Sequence, residues 1–330
     1  MKTIAFFGIQ GRTGKTTLVY HLAWMMAERG LRVMMVDLDP QADLTVWSLG
    51  KERVQDLLHQ ATPPTISSAL APLVQEHGND AMPIIGERLS ERIVLLPGDL
   101  GLSQYDNLLW NAWHRHVSQP PDPSAFHRMN AMNRMIQLHA QHYEVDVALV
   151  DLAPNLGAIN QAALTAMDDV VFPLIPDFNS VLGLRSMGPA LKDWRMAWKG
   201  MADDFAASLP ANEMPRGETR PIGYVLSPIS MYGNRPAAND QSTADAIEAA
   251  YVEHVTSGRP LADGANCLGQ IKNYQSLVEM AREAHKPMFH LRPADGTFGG
   301  HQRAAQETHH VFAALAQRIA NRAGLRFPDT

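Results

Sequence analysis

The sequence predicts an α/β fold: a doubly wound, mostly parallel sheet with helices on both faces. Two observations carry this. Short apolar runs bounded by turn residues recur at 2–8, 32–38, 92–96, 146–152, 169–175 and 221–227, and each reads as a buried strand. Between and after them lie stretches with helical spacing, near 15–29, 103–117, 124–142, 157–167, 181–198, 241–254, 275–285 and 302–322. Strands that alternate with helices need right-handed crossovers, which place helices over both faces of a parallel sheet. A third observation points to function: a glycine-rich segment follows the first strand and opens the first helix.

The bulk composition is compatible with one domain over 1–330. Of 330 residues, 45% are hydrophobic and 19% charged, and mean hydropathy is −0.18, as in a globular protein with ample core. The stretches near 51–90, 103–140 and 199–220 read as insertions, of which 51–90 and 199–220 look less regular. The last ends in Pro210, Pro215 and Gly217, and neither of these two less regular stretches is polar enough to be a tether. No apolar run reaches the ~18 residues of a membrane span. The opening MKTIAFFGIQ enters a strand rather than a signal peptide, so a cytoplasmic location is expected. The single cysteine, Cys267, permits no internal disulfide and no thiolate metal cage. Net charge is −6, against a surface that coats nucleic acid throughout, but residues 271–330 carry eight Lys/Arg against five acids.

Residues 8–17 read GIQGRTGKTT. In this position, backbone N–H groups and the positive end of the helix dipole converge on an anion, and Gly11 and Gly14 let the chain approach it closely. Lys15 is placed to reach the β- and γ-phosphates of a nucleotide, and the Thr16 hydroxyl to ligate Mg²⁺. The strict G-x-x-x-x-G-K-[ST] pattern fails at one position, where Ile9 replaces glycine.

Two acidic blocks follow. Residues 36–45 read VDLDPQADLT, which places Asp37 and Asp39 at the carboxyl end of the second strand, where open α/β sheets bind ligands. Residues 145–157 read VDVALVDLAPNLG, an apolar strand ending in Asp151. With the loop, these blocks resemble the ParA/MinD family of deviant Walker A ATPases, whose motifs are K-G-G-x-G-K-[ST], D-x-D-P-Q-x-N-x-T and D-x-P-P-S-L-G. DVVFPLIP at 169–176 and EMAREAHKP at 279–287 resemble later family segments, so the likeness spans about 250 residues.

The resemblance implies ATP and Mg²⁺ as cofactors. The nucleotide is held by Gly11, Arg12, Thr13, Gly14, Lys15, Thr16 and Thr17, with Pro228 in the strand GYVLSP beside the adenine. Thr16, Asp39 and Asp151 serve the metal; Lys15 and Asp39 serve catalysis, Asp39 by orienting the attacking water and Asp37 by supporting the metal shell. The family's signature lysine, which crosses a nucleotide-sandwiched dimer, is replaced by Gln10, and Asp43 stands where the family has asparagine. Arg12, two residues further on, is a candidate for the missing cross-dimer charge.

The implied activity is an ATPase, slowed by the absent lysine, that acts as a homodimer in the ATP state with an adaptor or activator protein. Partition of DNA, with non-specific DNA binding through the basic C-terminal third and a nucleoid association, is the first role. A MinD-like membrane switch is the second, carried by a C-terminal helix with Arg318, Arg322 and Arg326 on one edge and Val311, Phe312, Leu315 and Ile319 on another. The third is a switch for a protein cargo, with Trp110, Trp113 and Phe126 either on a partner surface or in the core. An ATP-dependent amidoligase of the same fold is the different-class alternative, weakened by the D-x-D-P-Q block.

Overall fold

The computed structural model describes residues 1–74, 82–118, 123–205, 215, 217–229, 231–232, 235–236, 238–258 and 266–328. An eight-stranded sheet runs in the order β10-β7-β6-β1-β5-β2-β4-β3. Its members are β1 (Lys2–Phe6), β2 (Val33–Asp37), β3 (Glu87–Ser90), β4 (Ile93–Leu96), β5 (Val147–Asp151), β6 (Asp169–Leu174), β7 (Arg220–Ile229) and β10 (Cys267–Lys272). β8 (Met231–Tyr232) and β9 (Arg235–Pro236) form a separate antiparallel pair. In the large sheet every pairing is parallel except β3 with β4. The expected doubly wound sheet is present.

The strands are buried on both faces, which explains their continuous apolar sequence. Ala5, Met34, Val36, Ala148 and Val150 face one core, while Ile4, Phe6, Met35, Val147 and Leu149 face the other. The first core is covered by α5 (Ser103–Ser118), α6 (Pro123–His142), α7 (Ala158–Ala166), α8 (Phe178–Phe205) and α9 (Ala238–Ala250). The second is covered by α1 (Lys15–Glu28), α2 (Asp43–Leu49), α10 (Ser276–Glu283) and α11 (Gly300–Ala323).

Several sequence expectations are refined. The stretch 51–90 is not irregular throughout: it contains α3 (Lys51–Leu58), α4 (Ile66–Leu70) and β3. β10 has no strand expectation, because only Leu268 and Ile271 among its residues are buried apolar positions. The insertion expected at 199–220 lies largely outside the described residues, though α8 extends into it as far as Phe205. The region 103–140 is two long helices in which Trp113 and Phe126 are core residues. Phe126 stacks on Trp198; Trp110 is exposed and stacks on His114.

The C-terminal helix closes the domain. Phe312, Leu315 and Ile319 of α11 are buried against α1 and the sheet, so its apolar stripe is spent within the fold, although Val311 is only half-buried. Arg318 donates to the Leu268 carbonyl at 2.8 Å and Arg322 to the Ile222 carbonyl at 3.2 Å, tying the helix to β10 and β7. A membrane-binding face on this helix would require those buried residues to leave the core. Among the described residues no helix is long and apolar enough to cross a membrane.

His21 joins α1 to this closing layer. Its Nδ1 faces the Thr17 carbonyl at 2.7 Å and its Nε2 accepts the Met288 N–H at 2.9 Å. One nitrogen must donate and the other accept, which fixes a neutral ring. Burial pushes the imidazole down to about 3.

Candidate nucleotide site

Parallel register brings the chemistry together. Asp151 at the end of β5 is paired with Phe6 of β1 on one side and Asp37 of β2 on the other. The loop after β1 therefore begins beside the two carboxylates that end the neighbouring strands. Gly14 sits at the N-terminus of α1 with φ 75°, and a methyl there would come within 3.0 Å of the Ser227 hydroxyl. Glycine is needed at this position for both reasons. The same contact shows that the carboxyl end of β7, with Ser227 and then Pro228, lies against the loop.

From there α1 turns its first residues onto Asp151. Thr16 Oγ1 donates to Asp151 Oδ2 at 2.6 Å, and Lys15 Nζ lies 3.9 Å from Asp151 Oδ1. Asp151 and Lys15 are both buried. Asp151 Oδ1 has no hydrogen-bond partner, so one hard oxygen remains available beside a hydroxyl. That donor set fits Mg²⁺, which binds through one or two protein oxygens and completes its shell with phosphate and water. Among the described residues no cluster of three or more His, Cys, Asp or Glu side chains forms a dedicated metal cage. Burial pushes the Asp151 carboxyl up to about 6, with Lys15 and Thr16 opposing the shift.

The second acidic block divides into two environments. Asp37 is buried, and its Oδ2 accepts the Thr45 N–H at 2.8 Å and the Thr45 hydroxyl at 2.6 Å. Thr45 Oγ1 in turn accepts the Gly98 N–H at 2.9 Å. Asp37 thus anchors α2 and the segment after β4 as well as standing beside Asp151. Asp39 is 7% exposed and accepts the Gln41 N–H at 3.0 Å, holding the turn that leads into α2. Thr45 was legible as the last residue of the family block, yet its grip on Asp37 becomes visible only in three dimensions.

The loop's outer half differs. Gly11 and Arg12 are exposed, and Thr13 is buried. Arg12 has φ 64°, a left-handed conformation where the family has glycine. Thr17 is half-buried, with its carbonyl used by His21. Gln10 points back into its own chain: its Nε2 donates to Asp177 Oδ2 at 2.7 Å and its Oε1 accepts the Ser180 hydroxyl at 2.8 Å. Asp177 and Ser180 were not anticipated. The only signal was an acid three residues before a serine at a helix start, a capping pattern.

A glycine-rich loop from β1 into α1, with a buried lysine, a hydroxyl and an acid from the adjacent strand, defines a ParA/MinD-like P-loop ATPase. A family model described as an AAA domain matches residues 1–199, and the chain belongs to that family. It is 29% identical over 188 residues to the virulence plasmid ParA family protein pGP5-D of Chlamydia psittaci, a match covering 57% of this chain and 62% of that protein. It is 30% identical over 186 residues to the cell division protein PomZ of Myxococcus xanthus, covering 54% and 48%. The chain thus spans about half to two thirds of the length of the curated relatives it matches.

Solved structures match the whole fold. Protein DIP2308 from Corynebacterium diphtheriae superposes with a TM-score of 0.73 at 19% identity, covering 98% of both chains. Cyanothece apo McdA gives 0.63 at 15%, covering 97% of this chain and 99% of that one.

Burial pushes the Asp37 carboxyl up to about 8, and the neighbouring Asp151 charge adds to the rise. A carboxyl raised on folding contributes stability that is complete below its unfolded value, near 3.8, and is lost as pH climbs through about 8. Asp37→Asn removes this titration while keeping an acceptor for Thr45. In nucleotide-free protein, denaturant midpoints should fall less between acidic and alkaline pH for Asp37→Asn than for wild type; parallel pH curves would refute the assignment.

Proposed function

We propose that the chain is an ATP- and Mg²⁺-dependent dimerising switch of ParA type, which hydrolyses ATP slowly to partition DNA or position a cargo. The observation that carries this reading is the buried Lys15–Asp151–Thr16 group at the start of α1, with Asp39 at the next strand end. Relatives named for a virulence plasmid ParA family and for cell division support partition or positioning as the use of the switch.

In this reading the loop backbone from Gly11 to Thr17 and the α1 dipole hold the phosphates, and Lys15 neutralises the β- and γ-oxygens. Thr16 and Asp151 hold Mg²⁺, with Asp39 beside them; the bound ion supplies further neutralisation of phosphate charge. Asp39 orients the attacking water and accepts its proton. Pro228, at the end of β7 against the loop, flanks the base. Exposed apolar side chains on segments that follow strand ends, Leu100, Leu156, Phe178 and Leu182, offer a surface for a second copy in the ATP state. Arg12, exposed on the loop and without a hydrogen bond or ion pair among the described residues, would reach the partner copy's phosphates.

The cargo side favours a protein adaptor over a membrane. The apolar stripe of α11 is buried and two of its arginines are bound to carbonyls. Non-specific DNA binding would rest on the basic residues of the C-terminal third that are not ion-paired, and its affinity would fall steeply with salt.

Lys15→Ala should weaken ATP binding by roughly 100-fold, because it removes a charge-assisted contact to phosphate; wild-type affinity in a titration with a fluorescent ATP analogue would refute the site. Asp39→Ala should still bind ATP but accumulate the ATP-bound dimer, read by light scattering, whereas wild-type phosphate release would remove Asp39 from catalysis. For Arg12→Ala, turnover and ATP-dependent dimerisation should both drop at least about tenfold. Unchanged values would place the missing charge elsewhere.

A further inference from the structure

The residue at the position of the missing lysine is fully engaged inside its own chain. Gln10 spends its amide N–H on Asp177 Oδ2 and its carbonyl on the Ser180 hydroxyl. Asp177 Oδ1 meanwhile accepts the Ser180 N–H at 2.8 Å. The three residues therefore close a ring of hydrogen bonds between the loop after β1 and the first turn of α8. A second contact runs alongside: Ile9 lies over Gly183, where a methyl would come 3.4 Å from its Cγ1. Gly8 completes the path, since a methyl there would meet the Pro173 carbonyl at 3.2 Å. Residues 8–10 are thus laid along the end of β6 and the start of α8, while Lys15 and Thr16 face Asp151.

We infer that Gln10 is a positioning residue, a latch that fixes the first half of the phosphate loop to the amino end of α8 within one chain. This rests on the nucleotide-site reading above for its consequence, but the latch itself does not depend on a ligand. The chemistry selects glutamine. A lysine at position 10 could pair with Asp177 but could not accept from Ser180, whose side chain is buried and would lose a partner. An amide satisfies both. The same engagement means that the side chain at position 10 does not extend across an interface, and that a shift of the loop on binding phosphate is passed directly to α8. That helix carries Phe178 and Leu182, both exposed, in its first turns.

A charge swap tests the latch. Gln10→Glu sets a carboxylate against the Asp177 carboxylate and should break the ring. Combining it with Asp177→Asn restores a donor–acceptor pair in reversed polarity: the introduced amide nitrogen donates to the new carboxylate, and the amide oxygen still accepts the Ser180 N–H. In nucleotide-free protein, Gln10→Glu should speed amide hydrogen exchange over residues 178–182 by about tenfold, the loss expected for a charge-opposed hydrogen bond. The double variant should return it to near the wild-type rate, and ATP affinity should fall and recover in step. Ser180→Ala, which removes one bond without adding charge, should give a smaller change of the same sign. Wild-type exchange in Gln10→Glu or Ser180→Ala, or no recovery in the double variant, would overturn the latch. Failure of the wild-type protein to bind ATP would instead overturn the nucleotide-site reading and leave the exchange result standing.

Discussion

The hydrogen bond from the Thr16 hydroxyl to Asp151 is the interaction on which the site depends. It is made between the first turn of a helix and the last residue of the adjacent strand, so it fixes the angle at which α1 leaves the sheet. That angle decides where the loop's N–H groups converge and where the Lys15 ammonium sits. The cost is a carboxylate with no exposure, which proteins keep only where charge is to be compensated. Lys15, 3.9 Å from Oδ1, offsets part of it, and Oδ1 accepts no hydrogen bond that would offset the rest. Asp37 stands one strand over with a still higher tendency to hold its proton. Burial favours the protonated form of both acids, and the Asp151 charge adds to that effect at Asp37.

Much of this was legible in the sequence, and the reason is physical. Strands buried on both faces write continuous apolar runs, so β1, β2, β4, β5, β6 and β7 stood out. A loop that binds phosphate through its backbone must use small residues followed by lysine and a hydroxyl, so its place after β1 could be read directly. Asp37, Asp39 and Asp151 were visible because ligand chemistry gathers at strand ends. What escaped was whatever is paid for by contacts distant in sequence. β10 alternates half-buried and exposed positions at the edge of the sheet and lacks a continuous run. The short helices α2, α3 and α4 are too brief for periodicity to declare them. Gln10 was recognised as a departure from the family, but its partners lie 167 and 170 residues away in the chain. No local pattern could have named them.

The comparisons and the site divide the chain unevenly. The family model covers residues 1–199, the part that contains all three motifs, and the curated relatives align over fewer than 200 residues. The solved structures, at under 20% identity, extend over nearly the full length, so the later strands and helices share architecture rather than sequence. That division is consistent with the proposed switch, in which the first part would keep the phosphate-site geometry and the second would keep the sheet closed.

The arginines of α11 illustrate how the later part is closed. Arg318 and Arg322 reach from the helix to backbone carbonyls of β10 and β7 and act as clamps across the sheet's outer edge. A guanidinium suits this work because its planar fork can donate to a carbonyl while its charge still faces solvent, as in the exposed Arg318. Two other cations of this segment are compensated by carboxylates, Lys272 by Glu307 and Lys286 by Asp295. The count of eight basic residues in 271–330 therefore overstates the valence available for counterion exchange, and any attraction to nucleic acid must be carried by fewer groups than that count implies.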